Sequence, residues 1–282
     1  MLQSALATNS YFKLDNHSAF LICLPIKHIA GKMMILRAIN AKAKIILTEP
    51  NSNPVKELSQ PIDFCAMTPH QVMNCFKRNK EQLNLINNLI IGGSPVSNTL
   101  SEKLSKLKTN CFVTFGMTET ISHIAIKEIN ALNNNIYECL PHVNITSNDN
   151  NQLIINAPII GVNQLVTNDV ISYIDKNHFT WIGRLDNIIN SGGIKIHPEL
   201  IEKKLELALS NAVFFIDQVP HKELGSQLII IIDHSLTDSV IKSAFKILNK
   251  YEIPKIIYRT NEFFYSGNNK VNRLKTKNTI LK

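Results

Sequence analysis

Long apolar runs are missing from this chain. Unbroken apolar stretches such as Leu228 to Ile232 fall far short of the roughly 20 residues that a membrane-spanning helix needs, so no span is predicted. The N-terminus lacks a basic patch followed by an apolar core; no secretory signal is expected, and a cytoplasmic location follows. Cysteine is sparse: Cys23, Cys65, Cys75, Cys111 and Cys139 are odd in number and well separated, and no CxxC pair occurs. Set mostly in apolar runs, they read as buried free thiols in a reducing compartment. A basic helix and any alternation of basic with aromatic residues are also lacking, which counts against nucleic-acid binding. No internal repeat or low-complexity stretch is present.

What is there is ordinary globular composition: 282 residues, 44% apolar and 18% charged, enough for one large domain and one small one. The formal charge of +8 comes from Lys and Arg scattered among acidic residues, with one dense basic stretch around Lys270, Arg273, Lys275 and Lys277. Such a field suits small polyanions as well as larger ones.

From Ala19 to Phe115, short apolar runs alternate with helix-period segments, the signature of a parallel sheet with crossover helices. The expected strands are AFLICLPI, AKIILT, DFCAM, NNLIIGG and CFVTF, and the expected helices are GKMMILRAIN, a segment opening at Pro69, and SNTLSEKLSKL. Pro69 suits a first helical turn, where its missing N–H would have no intrahelical partner. Shorter strand-like pieces follow, QLIINAP, LVTNDVISYI and HFTWIG, separated by Asn, Asp and Gly clusters that favour turns; they read as a small β subdomain. Beyond Asp186 come IKI, a helix opened by Pro198, the strands AVFFID and LIIIID, and a helix before Pro254. The fold class expected is an α/β large domain, a parallel sheet with crossover helices plus a small β subdomain, over 1–185. A small α+β C-terminal domain follows over 186–282.

FGMTET, Phe115 to Thr120, follows an expected strand and sets a Gly, a hydroxyl and a carboxylate at its C-terminal end, where open α/β sheets bind ligands. Alone it is equally an ordinary way to finish a strand. A more specific pattern lies downstream in WIGRLDNIINSGGIKIHPELIE, Trp181 to Glu202. It resembles the core motif of the ANL superfamily of adenylate-forming enzymes, in which a G-R-x-D segment is the hinge and a Gly-rich turn follows. Further matches occur in the family's order. GGSPVS (Gly92 to Ser97) is similar to the adenine-binding stretch, FGMTE to the aromatic-Gly-x-Thr-Glu motif, Asp169 of LVTND to the ribose-binding Asp, and GNNKVNR (Gly267 to Arg273) to the segment carrying the catalytic lysine. The opening LPIKHIAGKMMILRAI, Leu24 to Ile39, looks like o-succinylbenzoate-CoA ligases.

The resemblance implies an ATP-dependent acyl-CoA ligase. A carboxylic acid, o-succinylbenzoate on the narrower resemblance, attacks the α-phosphate of ATP and expels pyrophosphate, and the CoA thiol then displaces AMP from the acyl-adenylate to give the thioester of menaquinone synthesis. On this reading Gly92, Gly93, Ser94, Phe115, Gly116 and Met117 bind the adenine side of the nucleotide. Glu119 holds Mg²⁺, a hard cation that prefers oxygen ligands, and Thr118 donates to the α-phosphate. Asp169 and Arg184 take the ribose, and Lys270 bridges the acid and the phosphate as charge develops. Gly192 and Gly193 give CoA's pantetheine arm close backbone approach, or simply make a tight turn. His28 looks like the acyl-pocket His, or is a satisfied boundary residue between strand and helix. Asp186 is the hinge at which the small domain rotates.

The family's Ser/Thr/Gly-rich phosphate loop has no counterpart: MLQSALATNS is not Gly-rich, and a weaker grip on ATP is expected without such a cradle. Asn268 and Asn269 also stand between Gly267 and Lys270, where the family commonly sets Gly beside its Lys. A noncatalytic nucleotide- or acyl-binding protein of the same fold is therefore the alternative.

Overall fold

The computed structural model describes residues 1–130, 135–209, 212–265 and 271–281. By contact the chain divides into two compact units, one of Met1–Thr167 and Ser172–Trp181, the other of Asn168–Ile171 and Ile182–Lys282.

The first unit opens on helix α1 (Leu2–Phe12), which the sequence pattern did not announce: the segment is uncharged and has only a weak apolar period. Strands β1 (Ala19–Ile22), β2 (Lys44–Leu47), β3 (Ile62–Met67), β4 (Ile86–Ile91) and β5 (Asn110–Gly116) follow. Between them run α2 (Ile29–Ala41), α3 (Pro69–Arg78), the single turn α4 (Lys80–Leu83) and α5 (Asn98–Leu104). The expected strands and helices are all found here, but β1 ends before Pro25, whose ring cannot donate to a ladder, α5 is shorter than the stretch expected, and α4 was not expected. Pro69 does open a helix, and Thr68 caps it in a reciprocal box with Gln71.

All neighbours among β1 to β5 pair in parallel, in the order 2-1-3-4-5. Their side chains alternate between two cores. Leu21, Cys23, Cys65, Met67, Leu89, Ile91, Cys111 and Val113 face α3 and α5; Phe20, Ile22, Phe64, Ala66, Ile90 and Phe112 face α2 and the end of α1. A strand buried on both faces reads as a continuous apolar run, which is why these were legible. All five cysteines are buried and unpaired.

From β5 the sheet turns antiparallel. Strands β6 (His123–Glu128), β7 (Tyr137–Cys139), β8 (Asn144–Ser147), β9 (Gln152–Ala157), β10 (Val162–Asp175) and β11 (His178–Arg184) extend it to 11 strands in the order β2-β1-β3-β4-β5-β6-β7-β11-β10-β9-β8. The smaller β pieces thus continue the main sheet by hydrogen bonding.

In the second unit, β12 (Ile189–Ser191) and β13 (Ile194–Ile196) form a hairpin, and β14 (Phe214–His221), β15 (Gly225–Ile232) and β16 (Ile256–Arg259) form a three-stranded sheet with β15 in the middle. Helices α6 (Pro198–Leu205), α7 (Asp238–Ala244) and α8 (Arg273–Ile280) complete it. The run Leu228–Ile232 is the centre of this unit. Leu228, Ile230 and Ile232 pack with α6 and α7, while Ile229 and Ile231 pack with Phe215 and the α8 side chain Ile280.

Candidate active site

Because β1, β3, β4 and β5 are parallel, their C-terminal ends share one edge of the sheet. The topology therefore brings His28, Gly92–Ser94 and Phe115–Glu119 to that edge, the side on which open α/β sheets bind ligands. His28 is exposed at the N-cap of α2, its side chain making no cap hydrogen bond.

The FGMTET segment is a strand end folded into one 3₁₀ turn, Thr118–Thr120. Phe115 packs edge-on against Phe179, centroids 5.3 Å apart, and against Tyr137 at 5.7 Å. Gly116 faces His123 across a register shift, and a Cβ there would lie 2.5 Å from both His123 Cα and the Ser122 carbonyl oxygen, so no side chain fits. Thr120 Oγ1 accepts the Met117 N–H at 3.0 Å and donates to the Ser122 carbonyl at 2.8 Å, which pins the turn. Ile121 follows with φ 65°, a conformation that costs a branched residue on the order of 1–3 kcal/mol. Thr120 is held inside by these bonds, and its neighbours Thr118 and Glu119 are exposed. A cavity of about 330 Å³ lies beside Glu119, walled by Gly161–Val166. Its donors are the Glu119 carboxylate and the carboxamides of Asn163 and Gln164, all hard oxygen groups suited to a magnesium-like cation.

Sequence reasoning passed over a second cluster in the same unit. Arg37 of α2 is 2% exposed. Its Nη2 donates to Ser122 Oγ at 2.9 Å and reaches His123 Nδ1 at 3.4 Å, while its Nε–H is buried with no partner. None of the ion pairs among the described residues includes it. Burial pushes the guanidinium down to about 9, so it stays charged at neutral pH and carries an uncompensated desolvation cost. Burial, then the charge of Arg37, holds His123 well below the usual histidine range. The signal was present in part: Arg37 lies four residues after Met33, on the buried face of an otherwise apolar helix.

The remaining expected residues belong to the second unit. Asp169 is 8% exposed in β10. Arg184 Nη2 and Asn168 Nδ2 both donate to Asp186 Oδ2 at 3.1 Å, so one carboxylate ties Arg184 to the residue preceding Asp169. Gly192 and Gly193, with φ 59° and 83°, are the two-residue loop joining β12 to β13. That turn type needs positive φ at both positions. Lys270, with Gly267, lies outside the described residues; on its C-terminal side Val271 bridges to Tyr265 and Asn272 N–H donates to the Phe264 carbonyl at 2.7 Å.

The family described as AMP-binding enzyme matches residues 1–150, over half of the chain, and the chain belongs to that family. It is similar to the 2-succinylbenzoate–CoA ligase of Escherichia coli (strain K12), 24% identical over 255 residues that make up 84% of this chain and 55% of the relative. The chain thus spans about half the length of the curated relatives it matches. A solved acyl-CoA synthetase (AMP-forming)/AMP-acid ligase II-like protein from Dyadobacter fermentans is 29% identical with a TM-score of 0.65, covering 99% of this chain and 83% of that one. MenE of Bacillus subtilis in complex with ATP and magnesium shares the fold at a TM-score of 0.81, with 17% identity and coverage of 98% and 64%.

Proposed function

We propose that this chain is an AMP-forming acyl-CoA ligase, using ATP, Mg²⁺ and CoA, and that its acid is o-succinylbenzoate. The observation that carries the reading is the gathering of GGS and FGMTE at one carboxyl edge, with an exposed Glu119 beside a cavity, in a chain whose curated relatives include 2-succinylbenzoate–CoA ligases.

On this reading Gly92, Gly93, Ser94, Phe115, Gly116 and Met117 form the wall against which the adenine lies, with Phe115 held in place by Phe179 and Tyr137. Glu119 is the group that would hold Mg²⁺, which when bound neutralises phosphate charge as pyrophosphate departs. The Thr118 hydroxyl donates to the α-phosphate. Asp169 accepts from the ribose hydroxyls and Arg184 donates to the ribose, the latter oriented by Asp186. Lys270 stabilises the charge on acid and phosphate during adenylation, and the Gly192–Gly193 turn admits the CoA thiol afterwards. Residues 186–282 form the domain that carries Lys270, with the pivot at Asp186, and 1–185 form the AMP-binding part. His28 borders the acyl pocket, and Arg37, buried with an unfilled N–H, is the cation that receives a carboxylate of the acid. An enzyme that draws ATP and CoA from the cytosol acts in the cytoplasm.

The test is incubation of the purified chain with Mg-ATP, o-succinylbenzoate and CoA, following AMP and thioester by mass spectrometry beside a Lys270→Ala variant. Product that disappears in the variant supports the proposal. A folded protein that forms no AMP with any aromatic or fatty acid sinks it.

A further inference from the structure

The buried cluster beside FGMTET has a direction. Arg37 can only donate, so in its contact with His123 the ring atom Nδ1, 3.4 Å from Nη2, is the acceptor. The ring proton then sits on Nε2, which faces Thr8 Oγ1 at 3.4 Å. Thr8 in turn donates its own proton to the Ser4 carbonyl at 3.1 Å. The next residue of α1, Asn9, donates from Nδ2 to the Arg37 carbonyl at 2.9 Å. A chain of donors therefore runs from the guanidinium through the imidazole into α1, and α1 also grips the backbone of the residue where it starts.

We propose that His123 is a positioning residue for Arg37: as the neutral Nε2–H tautomer it holds the guanidinium so that its free N–H edge meets a carboxylate of the acid substrate. The inference rests on the ligase reading above and deepens it. The hydrogen-bonding groups in reach of the ring are Thr8 from α1, Arg37 from α2 and Ser122 at the start of β6, and Arg37 is the one that carries charge. A proton added at Nδ1 turns the acceptor into a donor, sets two cations 3.4 Å apart and drives the guanidinium away. Acid binding through Arg37 accordingly fails as His123 charges, at a pH below the ordinary histidine range.

Calorimetric titration of o-succinylbenzoate into the intact protein tests this, from neutral pH down to the lowest pH at which the protein stays folded, for the wild type, His123→Asn and Arg37→Lys. Asn keeps an acceptor near the Nδ1 position and cannot take a proton; His123→Gln is the second variant if Asn fails to fold. Titration of ATP over the same range is the control, and ¹⁵N spectra of the ring, assigned by subtracting the Asn variant, read the tautomer. Once the pH falls far enough below the ordinary histidine range to charge the ring, the wild type is expected to lose about tenfold more affinity for the acid per pH unit than His123→Asn, with ATP affinity moving equally in both and the ring showing Nε2–H at neutral pH. Equal acid dependence in wild type and His123→Asn, or an Nδ1–H tautomer, overturns the positioning role and leaves the ligase reading standing. Absence of acid binding by every variant at every pH overturns that reading, and the proposal with it.

Discussion

Arg273 and Glu202, 71 positions apart, form an ion pair of 2.7 Å inside the C-terminal unit. Glu202 also accepts the Ile216 N–H at 2.8 Å, Arg273 donates to the Ile216 carbonyl at 3.3 Å, and its guanidinium lies 5.6 Å from the Phe215 ring centre. Four residues further along α8, Lys277 pairs with Asp217 at 2.7 Å. Helix α8 has almost no amphipathic period, and these charges fasten it to β14 in place of an apolar stripe.

Burial raises the Glu202 carboxyl from 4.5 to about 7, against the opposing pull of Arg273. A carboxyl raised in the folded state binds its proton more tightly than in the unfolded chain. Its contribution to stability is full below about pH 4.5 and is lost as the pH rises through about 7, a change of roughly 3 kcal/mol for this group. Chemical denaturation of the wild type and Glu202→Gln across that window is the check: the wild type should lose more stability than the variant, which has nothing to titrate there. Equal slopes would show that Glu202 is already ionised at the acid end.

Removing the partner is a sharper insult. Arg273→Met takes away the cation that opposes burial, so Glu202 is left protonated at neutral pH, and the loss of the ion pair and of the bond to the Ile216 carbonyl should show as a fall in the denaturant midpoint. The loss should shrink on acidification, as Glu202 of the wild type takes up a proton too and its pair with Arg273 weakens.

At the sheet edge, Gly116→Ala is expected to destabilise the protein by roughly 2 kcal/mol, because the new methyl meets backbone atoms of Ser122 and His123 that cannot rotate away. Gly193→Ala places its methyl in open space and meets only the strain of a positive φ, about 1 kcal/mol. Thermal melts of the two variants should keep that order.

The thiols offer a test of the core. All five cysteines are buried, and burial raises Cys75 to about 11 and both Cys111 and Cys139 to about 12. Thiolate is the reactive form, so an aromatic disulfide reagent at neutral pH should label almost none of them in the folded chain and all of them in denaturant. Rapid labelling of even one in the native state would contradict the packing around it.

For the ligase reading, Glu119→Gln should lower AMP formation on the order of 10²-fold without altering the melting temperature, since the side chain is exposed and makes no structural bond among the described residues. Its effect should fall on adenylation and spare the thioester step when acyl-adenylate is supplied.

Much of the parallel half was legible because a strand covered on both faces must be apolar at successive positions, and a crossover helix must repeat its apolar side chains every three to four residues. The residue types at the strand ends were legible for the same reason, since Gly116 and Thr120 answer to a turn whose chemistry is local. Helices α1 and α8 were not, because neither carries an apolar period strong enough to mark it.

By itself the sequence determined which segments alternate as strand and helix, that GGS and FGMTE follow strands, and that the run from Leu228 to Ile232 is a strand. Only the tertiary structure decided that Arg37 meets His123 across 86 positions and that His123 meets Thr8 across 115. Side-chain periods report neighbours within a turn or along a strand. Which helix lies over which strand depends on the 2-1-3-4-5 order, and that order is set by how the faces pack together.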